Sequence, residues 1–222
     1  MKRVLFGLVA GSIALTACKG KGIEDPDRIF NLVVPQIQNQ APQDWKVRLP
    51  SSIQITGYDG SAVKLYSRLE KHDNSGFRIS INSEFNCQSR SCLVGSLFSE
   101  KNSSTFDDLK SKPIFSKEDL EQLNKTKEVG SQSQADTELM VRSEGAILER
   151  SEVDLGEGVK GTLILQNRMG VSTPATWILI WEQDQQVYSV AFRTSQKPKN
   201  RDEILDVGKS MVRGRPIIRN ST

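Results

Sequence analysis

Cys87 and Cys92 enclose the polar run Gln88-Ser89-Arg90-Ser91. Two sulfurs that close in sequence can ligate a metal, exchange electrons as a dithiol, or close a disulfide. Metal sites built on cysteine draw on further ligand pairs, and this chain has no second cysteine pair. The spacing is also wider than the Cys-x-x-Cys of redox motifs. Four polar residues can turn so that the two Cα atoms come within disulfide range. His72, the single histidine, adjoins Asp73 in the polar stretch His72-Asp73-Asn74-Ser75-Gly76. A histidine beside a carboxylate suits general-base work. This stretch reads as a solvent-facing hairpin loop, so no catalytic residue is assigned. Glu182 and Asp184 lie at the end of an apolar segment. Paired carboxylates hydrolyse glycosides only at a set separation, and a solvated strand end is expected. Trp177 and Trp181 fall on one face of that segment when it is extended. They are expected in the core, with a ligand-facing pair that stacks on a sugar or holds an apolar molecule as the alternative. The sequence contains no nucleophile elbow, zinc-protease helix motif, phosphate loop or dinucleotide fingerprint. No cofactor and no metal are expected.

The first residues set the expected compartment. Met1-Lys2-Arg3 is basic, and Val4 to Leu15 is uncharged and almost wholly apolar. A spanning helix needs about 20 apolar residues, so this run is a removed leader and not an anchor. Leu15-Thr16-Ala17-Cys18 closes it, and this resembles the bacterial lipobox. The resemblance implies a diacylglycerol on the Cys18 sulfur, cleavage before Cys18, and often an acylated amino group. Two or more acyl chains hold a protein stably on a membrane. Lys19 resembles a residue that permits outer-membrane sorting. Lipidation of Cys18 leaves Cys87 and Cys92 as an even pair in an oxidising compartment, and a disulfide is expected between them. The formal net charge of +3 includes Lys2 and Arg3 of the leader. The remainder offers no basic footprint for nucleic acid. The expected location is the cell envelope, facing the periplasm or the exterior. The expected partners are the membrane, through the lipid, and an envelope protein.

A single α+β domain must then position these residues. Residues 18–25 form a lipidated tether, 26–213 the domain and 214–222 a tail. Asp25-Pro26 reads as a helix start, Ile29, Leu32 and Val33 as its apolar stripe, and Pro35 as its end or a kink in it. Trp45 to Leu49 alternates as a strand. Strand patterns recur over 62–71, Phe77–Ile81, Leu93–Phe98, around Gly156-Glu157-Gly158, over Trp177–Trp181 and over Val187–Phe192. Ser116 opens a short helix with Leu120 and Leu123 on one face. Residues 124–138 are polar throughout and read as a surface loop. Asn200 to Glu203 resembles a capping box that opens a final helix, stopped by Gly214 and Pro216. The prediction is a twisted antiparallel sheet of about seven or more strands with helices at the N- and C-terminal ends.

The Cys-x4-Cys loop, Gly158-Val159-Lys160-Gly161, Trp181-Glu182-Gln183 leading into Val187-Tyr188-Ser189-Val190, and the closing Gly208-Lys209-Ser210 resemble uncharacterised exported proteins of cyanobacteria. This chain lacks the second cysteine pair that such relatives often carry. The architecture is similar, more distantly, to PsbP-like domains, by analogy alone. The functional expectation is a membrane-anchored, non-enzymatic binding or assembly module. The alternatives are a lipid or lipoprotein carrier with an apolar cavity and, behind it, a hydrolase.

Overall fold

The computed structural model describes residues 24–57, 59–73, 76–87, 89, 91–101, 104–115, 118, 145–167, 175–193 and 197–220. Cys18, the leader, the polar segment 124–138, and Leu120 and Leu123 lie outside the described residues. Among the described residues no helix is long and apolar enough to cross a membrane.

Seven strands make one sheet: β1 (Tyr66–Asp73), β2 (Gly76–Asn82), β3 (Leu93–Glu100), β4 (Ile147–Gly156), β5 (Val159–Gln166), β6 (Thr176–Gln183) and β7 (Gln186–Arg193). Their order is β1-β2-β3-β7-β6-β5-β4, and every neighbouring pair is antiparallel. The sheet is thus two meanders, β1 to β3 and β4 to β7, joined along a β3–β7 seam. Two-residue turns join β4 to β5 and β6 to β7 in the second meander. Glu157-Gly158 and Asp184-Gln185 all have positive φ, as the tight turns that match strand twist require.

Side-chain alternation decides the faces. Leu69, Ile79, Leu97, Val190, Leu179 and Leu163 are successive cross-strand partners, so one apolar row crosses six strands. This face carries the main core, and α3 (Lys197–Arg213) packs over it through Ile204, Val207 and Met211. Helix and sheet touch directly: a Cβ on Gly208 would stand 2.3 Å from Leu179 Cδ2. The next row on the opposite face grades from Arg68, Ser80 and Ser96 to Ala191, Ile178 and Ile164. Its apolar half forms a second cluster with Phe106 and Leu109 of α2 (Ser104–Ser111). The sequence reading did not include α2.

Several local expectations change. Asp27, not Asp25, caps the first turn, accepting from the Ile29 N–H at 3.0 Å; that turn is a three-residue 3-10 helix, Arg28–Phe30. Pro35 does not end a helix. It sits in the first turn of α1 (Val34–Gln40), where its missing N–H has no partner to lose. Trp45, Val47 and Leu49 are buried in alternation, but the segment lies outside the sheet and makes a single bridge, Val47 to Ile217. His72 is not in the hairpin loop: it lies within β1, opposite Phe77. Asn200 is inside α3, which opens three residues earlier. Its amide donates to the Glu203 carboxylate at 2.7 Å and does not cap the helix.

Candidate functional site

A cleft of about 160 Å³ opens at the β1 edge of the sheet, and three separate segments build it. The N-terminal turn supplies the first wall. Phe30, Val33 and Ile37 point into the core, and this phase leaves Leu32 66% exposed. The expected stripe of Ile29, Leu32 and Val33 assumed α-helical spacing from the start. The 3-10 turn shifts that spacing, and Phe30 takes the inward position. The Gln36 amide donates back to the Leu32 carbonyl at 2.8 Å. The Ser67 hydroxyl donates to the Ile29 carbonyl at 2.6 Å and ties this turn to β1.

Four consecutive β1 residues, Tyr66 to Leu69, make the floor. The loop after β2 makes the second wall with Glu84, Phe85 and Asn86. Phe85 is 64% exposed, and its ring lies 5.7 Å from that of Tyr66 at a tilt of 59°. Lys64 Nζ stands 5.3 Å from the centre of the same Tyr66 ring. At its volume the cleft has room for about one side chain, and its lining mixes Leu32, Val33, Leu69 and Phe85 with the polar Gln36, Arg68, Asn82, Glu84 and Asn86. The cleft therefore suits one aromatic or branched side chain, not a drug-sized ligand.

Cys87 and Cys92 brace the Phe85 wall. They are paired, with Cα atoms 6.2 Å apart. Cys92 also accepts the Ser83 N–H through its carbonyl at 2.9 Å, so the loop is closed at its base. The two sulfurs and the Glu84 carboxylate lie within 4.8 Å of one another, but sulfurs joined to each other cannot act as thiolate ligands. Closing so small a loop is worth about 2 kcal/mol. Reduction is expected to lower the urea unfolding free energy by about that amount. Thiol titration of unreduced, denatured Cys18→Ser protein is expected to find no free thiol; two would exclude the bond.

The other sequence candidates are placed as follows. Trp177 and Trp181 are each 2% exposed and belong to the core between the sheet and α3. Trp181 stacks on Tyr188 with ring centroids 5.5 Å apart. Neither ring lines the cleft at the β1 edge. Glu182 faces Lys110 at 3.5 Å. Asp184 accepts Arg48 Nε at 2.9 Å and Lys46 Nζ at 3.2 Å. Arg48 Nη1 also donates to the carbonyls of Val212 (3.0 Å) and Gly214 (2.7 Å). The Tyr188 hydroxyl donates to the Lys46 carbonyl. Burial pushes the Tyr188 hydroxyl pKa well above the ordinary phenol value, against the pull of Arg48. This group joins the Trp45–Leu49 segment, the β6–β7 turn and the end of α3. Its partners are fully engaged with one another, which marks it as structural.

Sequence reasoning placed Leu32 in the apolar stripe and did not single out Phe85. Phe85 carried a signal, as a lone aromatic in a polar stretch just before the cysteine loop. Compared with models of protein families, with curated proteins and with solved structures, the chain matches none.

Proposed function

We propose that the protein is a lipid-anchored, non-enzymatic binding or assembly module of the cell envelope, and that the Leu32–Phe85 cleft is its binding face. In this reading Cys18 carries the anchor, and an α+β domain with helices toward both ends presents the cleft. The observation that carries it is the pairing of two large exposed apolar side chains across a side-chain-sized cleft, on a wall braced by a disulfide. Loops held on a rigid scaffold commonly bear recognition, and Leu32 and Phe85 are exposed apolar side chains that line one cleft. The close packing of α3 on the sheet at Gly208 weighs against a carrier that holds acyl chains between these layers.

Phe85→Asp tests the face. The ring is mostly exposed but lies against Tyr66, so the unfolding free energy is expected to fall by no more than about 1 kcal/mol. Cross-linking in intact cells is expected to give a discrete adduct with wild type and none with Phe85→Asp. Identical adducts from both proteins would reject the cleft as the binding face. Cys18→Ser tests the anchor: the protein is expected to leave the membrane fraction and lose acyl labelling. Retention with unchanged labelling would reject lipid attachment.

A further inference from the structure

The cleft does not border β1 at random. We propose that its occupant is an extended polypeptide segment of a partner, which adds as a strand to the free edge of β1 over Tyr66–Leu69 and seats one bulky apolar side chain between Leu32 and Phe85. This rests on the cleft being the binding face.

β1 is the terminal strand, and among the described residues only β2 pairs with it. Alternate N–H and C=O groups along its outer side therefore have no ladder partner among the described residues. An added strand matches such a row at the right spacing, and a sugar or an acyl chain does not.

The usable length of this edge is limited, and the limit is informative. Tyr66, Ser67, Arg68 and Leu69 pair residue for residue with Asn82, Ile81, Ser80 and Ile79. The β1–β2 register shifts between Leu69 and Lys71, which interrupts the regular spacing of the edge at that point. The regular part of the open edge is thus Tyr66–Leu69, the same four residues that floor the cleft. A segment hydrogen-bonded to them passes beside Leu32 and Phe85. Because side chains alternate along a strand, one of its residues on the cleft side enters the cavity while its neighbours point away.

Charge adds a further preference. Lys64 lies over the Tyr66 ring and, among the described residues, meets no carboxylate. A segment that continues past Tyr66 with an acidic residue would complete that site.

The experiment uses a short capped peptide that alternates threonine and valine, with phenylalanine at its centre and glutamate at one end. Controls replace the phenylalanine with alanine, or methylate alternate backbone nitrogens. The phenylalanine peptide is expected to bind at least about tenfold tighter than the alanine peptide, as for an anchor in a pocket. It is expected to slow amide exchange in Tyr66–Leu69 and to lose binding on methylation. Phe85→Asp in the protein should weaken it by a similar factor. Binding that survives methylation with no protection of β1 overturns strand addition while leaving the cleft as a binding face. Binding that Phe85→Asp leaves unchanged overturns the cleft itself. No binding by the unmethylated phenylalanine peptide overturns the inference.

Discussion

Arg48→Ala is expected to lower the unfolding free energy by about 2 kcal/mol, between the cost of breaking an exposed ion pair and that of breaking a fully buried one. Arg48 is 11% exposed and Asp184 18%, so water cannot readily replace the lost guanidinium. The substitution removes a donor from three acceptors at once: the Gly214 carbonyl, the Val212 carbonyl, which keeps a long contact from Gln183 Nε2 at 3.4 Å, and the Asp184 carboxylate. Lys46 still reaches Asp184 but sits 51% exposed, and cannot serve the two carbonyls in the same geometry. Arg48→Lys is expected to recover little, because an ammonium lacks the planar fork that spans these acceptors. Urea unfolding at neutral pH gives the measurement, and a loss below about 1 kcal/mol would show that the pair is solvated. The pH dependence follows from Asp184. Desolvation raises its pKa, but Arg48 and then Lys46 outweigh that and hold it below the ordinary carboxylate value. A depressed folded pKa stabilises above the unfolded value of about 3.9. That contribution is lost as pH falls through the folded pKa. Stability should therefore decline below about pH 4 in wild type, with this part of the decline missing from Arg48→Ala.

Gly95→Ala is expected to cost about 3 kcal/mol, at the upper end for overpacking. A Cβ there would stand 2.2 Å from Phe192 Cδ1 and 2.4 Å from the Ala191 carbonyl oxygen. The ring can turn aside, but the carbonyl belongs to β7 and cannot withdraw without opening the β3–β7 seam. Gly208→Ala is the informative contrast. Its contact is the flexible end of Leu179, and alanine gains about 1 kcal/mol of helix propensity over glycine. Its expected net cost is about 1 kcal/mol. Thermal unfolding of the two variants should rank Gly95→Ala well below Gly208→Ala; the reverse order would contradict the packing at the seam.

The sheet was legible because its strands alternate or run wholly apolar between turn residues. Thr176–Gln183 shows the second pattern: its first six residues are buried, as for a strand covered on both sides. Where alternation misled, the cause was physical. Trp45, Val47 and Leu49 bury every second side chain, and the pattern reports that one side faces a core. It does not say that the backbone hydrogen-bonds into a sheet. Pro35 was ambiguous because proline disrupts a helix interior yet suits a helix start. In α2, Phe106 and Leu109 give only one apolar turn, too short for periodicity to declare itself. The cleft was hidden for another reason. Leu32, Tyr66 and Phe85 are ordinary residues in three distant stretches, and only the hairpin register and the N-terminal turn bring them together. Cys87 and Cys92 were readable because a bond between near neighbours needs little tertiary information.

The bridges Glu24–Gly214 and Val47–Ile217, with the Asn220 N–H on the Gln38 carbonyl, join the beginning of the described chain to its end. That arrangement constrains the order of folding. The first meander can form as soon as its own residues are available, since its hairpins are local. Its edge at β3 must then wait for β7, and the segment around Trp45 must wait for the last residues of all. A chain that emerges N-terminus first thus carries its early apolar residues, Phe30, Val33, Ile37 and Trp45, without a permanent seat until synthesis is nearly complete. Many contacts of long sequence separation also predict slow folding for a domain of this size. Truncation before Gly214 would remove the partners of Glu24, Gln38 and Val47 and leave that end of the core unclosed.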